Sequence, residues 1–259
     1  MSASWSILPK HLPRRAFGKI VLNEARLAWR LSVGLIFGVG LPVLLLVIFG
    51  EIPAFQKHKA SLGGLTAFNV YVPILIAFVI AALALWSLPG PLVSYREQGI
   101  LRRLSTTPVP PSWVLAAQVI VHLCLVVIAL FILVVVGIAA FGIDAPKSPG
   151  GLLLAIVLSI AALFAIELSI AAVARTANGA AALGSATFLP LMFFAGLWVP
   201  RQLMPGALQG ISNFTPLGAS VEAVQDSMQG VFPPATALLV LAAYAMIFVL
   251  VAKCFFRWE

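Results

Sequence analysis

Charge is scarce in this chain. Asp, Glu, Lys and Arg make up 9% of its 259 residues, against about 25% in a soluble globular domain. Disorder needs low hydrophobicity together with high charge, so it is excluded. Cysteine is scarcer still. Cys124 lies inside an apolar run and Cys254 near the C-terminus, a spacing that offers neither a disulfide framework nor a metal site. Both read as ordinary membrane residues. No H-E-x-x-H or G-x-S-x-G occurs, and no serine or cysteine nucleophile is evidently placed beside a base. A P-loop is missing too. Its backbone amides and lysine cradle phosphates in G-x-x-x-x-G-K-[ST], but the one Gly-Lys step, Gly18-Lys19, is followed by Ile20. The chain is therefore expected to be no enzyme, to hydrolyse no ATP itself, and to hold no metal or cofactor. A cleavable signal peptide is not expected either, because the first apolar run starts near Leu31 behind a long basic segment.

What is abundant is apolar surface, at 62% of residues, above the roughly 45–50% of soluble domains. A bilayer accommodates such an excess, and only helices or closed barrels satisfy every backbone group there. A barrel would show period-two alternation, whereas this chain shows long unbroken runs. Six spans are expected, near 31–50, 67–93, 112–141, 151–174, 180–199 and 234–253, each near or above the about 20 residues that cross a bilayer. The second and third are longer than needed and are expected to tilt or extend beyond the bilayer. Pro42, Pro73, Pro89 and Pro190 fall inside spans, where membrane helices tolerate them, often with a kink. The fold class is thus an all-α polytopic membrane protein, read as one membrane domain over 1–259.

The formal charge of +8 does not point to nucleic acid, because the cations sit beside the spans. With the N-terminus inside, 12 Lys and Arg fall in cytoplasmic segments, while Lys57, Lys59, Lys147 and Arg201 fall outside. The positive-inside rule then places both termini in the cytoplasm.

Three further segments stand out. Over 13–30, Arg15, Lys19, Arg26 and Arg30 form one helical stripe, with Phe17, Ile20, Val21, Leu27 and Ala28 opposite. That pattern predicts an interfacial helix on membrane lipid. Glu24 falls on its apolar side with no cation of the same helix in reach. Either a salt bridge to a cation elsewhere in the chain or a contact with a partner protein would explain it, and the salt bridge is the expectation. Over 95–108, Arg96, Glu97, Arg102 and Arg103 mix with Ile100, Leu101 and Leu104 before Pro108, Pro110 and Pro111, which predicts a short amphipathic cytoplasmic helix. Over 201–230, repeated Pro and Gly predict short helices at the outer surface that dip into the membrane. Glu222 and Asp226, one turn apart there, are expected on a solvated face; a cation site is the alternative.

Glu167 is the one acid inside a span, and an ionisable group at that depth is a functional hypothesis by default. It lies eight residues before Arg175, roughly 12 Å along a helix. His122 lies eleven residues past Pro111 on the preceding antiparallel span, roughly 16 Å along. A His122–Glu167 contact is expected, fixing the two helices or relaying a proton. Phe78 and Trp86 on the second span, with Phe188, Phe193, Phe194 and Trp198 on the fifth, give aromatic surfaces that either line a path for a large apolar ligand or pack against lipid.

The segments YREQGILRRLSTTPV and LPLMFFAGLWVPRQLMPGALQGISNFTPLGASVEAV resemble the ABC-2 type permease family, and within it the daunorubicin-resistance type of drug-export permease. The resemblance covers nearly the whole chain in layout. It implies six spans per subunit, a dimer with an identical or related permease, and two copies of a separate cytoplasmic ABC ATPase. It also implies that Glu97, Gly99, Arg102 and Arg103 belong to the coupling helix that docks on that ATPase. Segment 13–30 becomes the interfacial helix and 201–230 the outer re-entrant helices. The path then runs at the dimer interface, lined mainly by the first, second and fifth spans.

The resulting expectation is a permease subunit in the plasma membrane that moves an amphipathic or hydrophobic compound, drug-like or lipid, out of the cell under ATP drive. Two other classes compete. An ion-coupled secondary transporter would show more intramembrane acids or an inverted repeat. An intramembrane enzyme would have to work with His122 and Glu167.

Overall fold

The computed structural model describes residues 14–30, 36–58, 62, 64–87, 89–104, 106, 110, 112–143 and 145–255, without the side chains of residues 14, 15, 89, 101 and 102. Residues 31–35, which open the expected first span, lie outside the described residues. So do residue 13, the side chain of Arg102, and Pro108 and Pro111 of the expected coupling loop.

Apart from an isolated antiparallel bridge between His58 and Thr66, every regular element among the described residues is helical. Helix α1 runs Arg14–Arg30. A π turn, Ile36–Gly40, leads into α2, Leu41–Glu51. Helix α3, Ala67–Ala82, continues through a second π turn, Leu83–Ser87, toward α4, Pro89–Glu97. The short α5, Ile100–Leu104, precedes the long α6, Ser112–Phe141. Then come α7, Pro149–Val173, and α8, Ala177–Ala195. A 3₁₀ turn at Arg201–Leu203 leads to α9, Gly206–Asn213, and α10, Pro216–Gln229. Helix α11, Ala235–Phe255, closes the bundle.

Five of these are long and apolar enough to cross a membrane: Ala67–Glu97, α6, α7, α8 and α11. Ile36–Glu51 is apolar but shorter. The third span keeps its expected limits, the second, fourth, fifth and sixth move by a few residues, and the start of the first lies outside the described residues.

Local chemistry explains the boundaries. Thr66, Thr176 and Thr215 each accept the backbone N–H three residues on, at 3.1 Å, satisfying donors that a helix start leaves open. Gly196 ends α8 with φ +95°, a left-handed cap that a side chain would strain. Trp198 therefore lies beyond the fifth span rather than on it. Both π turns precede prolines. Pro42 follows the first, and Pro89 and Pro91 follow the second. A proline ring clashes with the carbonyl four residues back, and a wider turn makes room for it.

The second span is the axis of the bundle. Helix α3 is buried on all sides among α2, α6, α7, α8 and α10, which explains its all-round hydrophobicity. Helix α7 lies along α11, where Ser169 Oγ donates to the Phe248 carbonyl at 2.7 Å. Helix α10 is inserted between spans rather than laid on a surface. Leu217, Val221 and Val224 are buried, and Ser220 meets Ser159 of α7 at 2.7 Å. At the opposite, basic end, α1 packs across the start of α6, with Phe17 edge-on to Trp113 at 5.4 Å.

Candidate functional site

Helix α1, the two π turns, α6 and α8 line a partly open cavity of about 890 Å³ at the basic end. Leu27, Phe37, Trp86 and Val121 give it apolar walls, and Glu24, Arg30, Ser87, Gln118, His122 and Ser185 give it polar groups. Both π turns reach it, one through Phe37 and the other through Trp86 and Ser87, and the two rings meet edge-on at 5.9 Å. Such turns re-aim side chains that an α-helix would point elsewhere.

Glu24 is the acid of this cavity. Its Oε1 accepts from the Tyr95 hydroxyl at 2.9 Å and its Oε2 from Gln118 Nε2 at 3.2 Å. Among the described residues no cation pairs with Glu24, and neutral donors reach both of its oxygens instead. Burial pushes the Glu24 carboxyl above the usual carboxylate range, and the hydrogen bonds from Tyr95 and Gln118 pull against that shift. Gln118 is itself buried, and its Oε1 has no hydrogen-bond partner among the described residues. One turn on, His122 Nδ1 stands 2.9 Å from the Gln118 carbonyl and Nε2 stands 3.1 Å from Ser87 Oγ. A carbonyl only accepts, so Nδ1 carries a proton, and in the neutral ring Nε2 accepts from the serine.

No hydrogen bond joins His122 to Glu167. The imidazole is engaged by Gln118 and Ser87, while Glu167 is fully buried on α7 with neither carboxylate oxygen partnered among the described residues. The six aromatic candidates divide in two. Trp86 lines the cavity, with Phe188 behind it at 4.1 Å and Phe78 at 6.3 Å. Phe193 and Phe194 pair with each other at 5.4 Å further along α8, and Trp198 is half exposed beyond its end. Sequence reasoning passed over Phe37, Ser87 and Gln118. The proline after each π turn and a lone glutamine one turn before His122 were the available signals.

The expected coupling loop is helical from its start. Tyr95, Arg96 and Glu97 form the last residues of α4. Gly99, at φ +67°, turns the chain where a side chain would be strained, and the five residues of α5 follow. Arg96 donates to the carbonyls of Ala172, at 3.5 Å, and Ala174. Glu97 Oε2 accepts the Ala177 N–H at 3.0 Å. Arg103 is exposed on α5.

At the far end, Arg201 is buried. It donates to the Gly218 carbonyl at 2.8 Å, to Glu222 Oε2 at 3.2 Å and to Asn213 Oδ1. Glu222 is thus ion-paired and only partly exposed, and Asp226 is part-buried beside it. No group of three or more His, Cys, Asp or Glu side chains able to hold a metal occurs among the described residues.

Comparison with known proteins agrees with this layout. The chain is similar to "Putative transport permease YvfS" of Bacillus subtilis (strain 168), with 26% identity over 188 residues, 71% of this chain and 75% of the relative. The family described as ABC-2 type transporter matches residues 15–229. That match takes in α1, both π turns and every residue lining the cavity, so this multi-pass helical membrane protein belongs to the ABC-2 type transporter family.

Proposed function

We propose that the chain is the membrane subunit of an ATP-driven exporter that carries an amphipathic or hydrophobic compound, drug-like or lipid, out of the cell. Family membership implies an ABC ATPase partner in general. In this reading two copies of it bind ATP and Mg, and a second permease subunit completes the assembly as a homodimer or heterodimer. The basic end and both termini face the cytoplasm, by the Lys and Arg bias, and the membrane is the plasma membrane. The outer segment 201–230 supplies the re-entrant helices.

The observation that carries the reading is the cavity. Its volume of about 890 Å³ falls within the roughly 300–1,000 Å³ of small-molecule sites. Leu27, Phe37, Trp86 and Val121 suit an apolar body. Glu24 and the unpartnered Gln118 Oε1 are acceptors, so they suit a head that donates hydrogen bonds. A cavity at the cytoplasmic end is a loading site, and α4 runs from its rim straight to the coupling segment.

The test is uptake of a lipophilic rhodamine dye into inside-out vesicles holding the chain and its ATPase. ATP-dependent accumulation that survives a protonophore is the expected result, and Trp86→Ala weakens it up to about tenfold, the equivalent of one lost aromatic contact. Accumulation that collapses with the protonophore and ignores ATP establishes ion coupling instead. In the same vesicles Cys254, exposed near the end of α11, is labelled by an impermeant maleimide, and in right-side-out vesicles it is protected.

A further inference from the structure

Three consecutive side chains at the end of α4 reach three different elements. Tyr95 holds Glu24 of α1 at 2.9 Å. Arg96 holds the carbonyls that end α7, and Glu97 holds the first amide of α8. Successive helical residues point about 100° apart, so neighbours serve separate elements only where the helix is surrounded by them. The charges suit their targets. A cation meets the negative end of α7 and an anion the positive end of α8. The 174–176 turn between the fourth and fifth spans is thereby gripped from both sides. Two residues past Glu97, Gly99 turns the chain into α5.

We propose that Tyr95, Arg96 and Glu97 are positioning residues forming a transmission joint. A push on α5 rotates α4, and the joint carries that rotation to the 174–176 turn and to the Glu24 wall of the cavity. Glu97 and Arg96 thus act inside the chain, as struts, rather than as the docking contact to the ATPase. This rests on the exporter reading above, because it needs an ATPase to supply the push. Glu24 makes the link to the site direct. Its carboxylate bridges Tyr95 of α4 and Gln118 of α6 while lining the cavity, so a tilt of α4 alters the wall a ligand would touch.

The experiment uses the intact complex of this chain with its ATPase, in lipid nanodiscs. Hydrogen–deuterium exchange is compared with and without ATP–vanadate. In the wild type, trapping changes exchange of residues 174–180 several-fold. In Arg96→Ala/Glu97→Ala the ATPase is expected to co-purify and hydrolyse ATP as before, while that nucleotide-dependent change is lost. Glu97→Gln, whose amide oxygen still accepts from Ala177, restores it in part relative to Glu97→Ala. A purely structural clamp would alter baseline exchange but not the response to nucleotide. Tyr95→Phe removes one hydroxyl and little else, which guards against misfolding of the double variant. It keeps the 174–180 response and loses the response over residues 20–28 of α1. Loss of the ATPase from the Glu97 variants makes Glu97 a docking contact and overturns the joint. Persistence of the nucleotide response in the double variant, or of the α1 response in Tyr95→Phe, overturns it equally. A wild-type chain that retains no ATPase removes the exporter reading itself, and the joint with it.

Discussion

Replacing Arg201 by methionine tests how the far end of the bundle is held. The guanidinium side chain is 10% exposed and its partner Glu222 is 29% exposed. Removal leaves the Glu222 carboxylate, the Gly218 carbonyl and Asn213 Oδ1 without their donor. Breaking a fully buried pair costs about 3–5 kcal/mol. Glu222 keeps some water, so the lower end applies, about 3 kcal/mol. At about 2–4 °C per kcal/mol for a chain of this size, the apparent Tm falls by about 6–12 °C. Heating the detergent-solubilised protein and measuring the surviving monodisperse fraction by size-exclusion chromatography reads this directly. Arg201→Met/Glu222→Leu removes the stranded charge as well, and recovers about 1–3 kcal/mol through the coupling of neighbours. A double variant that loses the full sum of the two single losses would refute the reasoning, because the pair would then carry no interaction.

Asp226, beside that pair, gives a pH signature. Burial raises its carboxyl above the ordinary value of 3.8, the Glu222 charge raises it further, and Arg201 lowers it. The folded state holds the proton more tightly than the unfolded one. Stability therefore falls as pH rises from the ordinary value through the folded value and levels off above it. Asp226→Asn should flatten that part of a Tm–pH profile. Two glycines on neighbouring helices should respond oppositely to alanine. A Cβ on Gly218 presses against the Ser212 backbone carbonyl, whereas one on Gly210 meets nothing within 4 Å. Gly218→Ala is expected to cost about 1–3 kcal/mol, and Gly210→Ala to match the wild type or gain about 0.5–1 kcal/mol from its helical position. Both are read in the same thermal assay.

Hydrophobic runs made the spans legible. The third span was delimited from its prolines and apolar run alone, and the basic stripe of α1 announced an amphipathic helix whose Lys19, Arg26 and Arg30 are exposed. The site was less legible, because it depends on which helices meet. Glu24 stood out as an acid on an apolar face, but its partners are 71 and 94 positions away, and nothing in local periodicity selects a tyrosine and a glutamine over a cation. His122 and Glu167 matched in depth along their helices. Depth leaves rotation about the axis open, however, and His122 faces the second π turn and the cavity instead. In the outer segment the Pro and Gly residues announced short helices that dip inward, but not the contacts those residues make. Gly218 serves close packing on Ser212, and Pro216 starts a buried helix.

The two π turns bear on how such a chain varies in length. A π turn accommodates one residue more than the α-helical turn it replaces. Deleting a single residue from Leu83–Ser87 would let the turn revert to an ordinary α-helical one, so that the span stays hydrophobic and helical and the residues beyond it keep nearly the same faces. Tyr95, Arg96 and Glu97 would still reach their partners, while the side chains of the turn itself, Trp86 and Ser87, would be re-aimed relative to the cavity. Single insertions and deletions at these turns are thus a route by which one architecture could acquire a different specificity while its membrane-crossing composition stays unchanged.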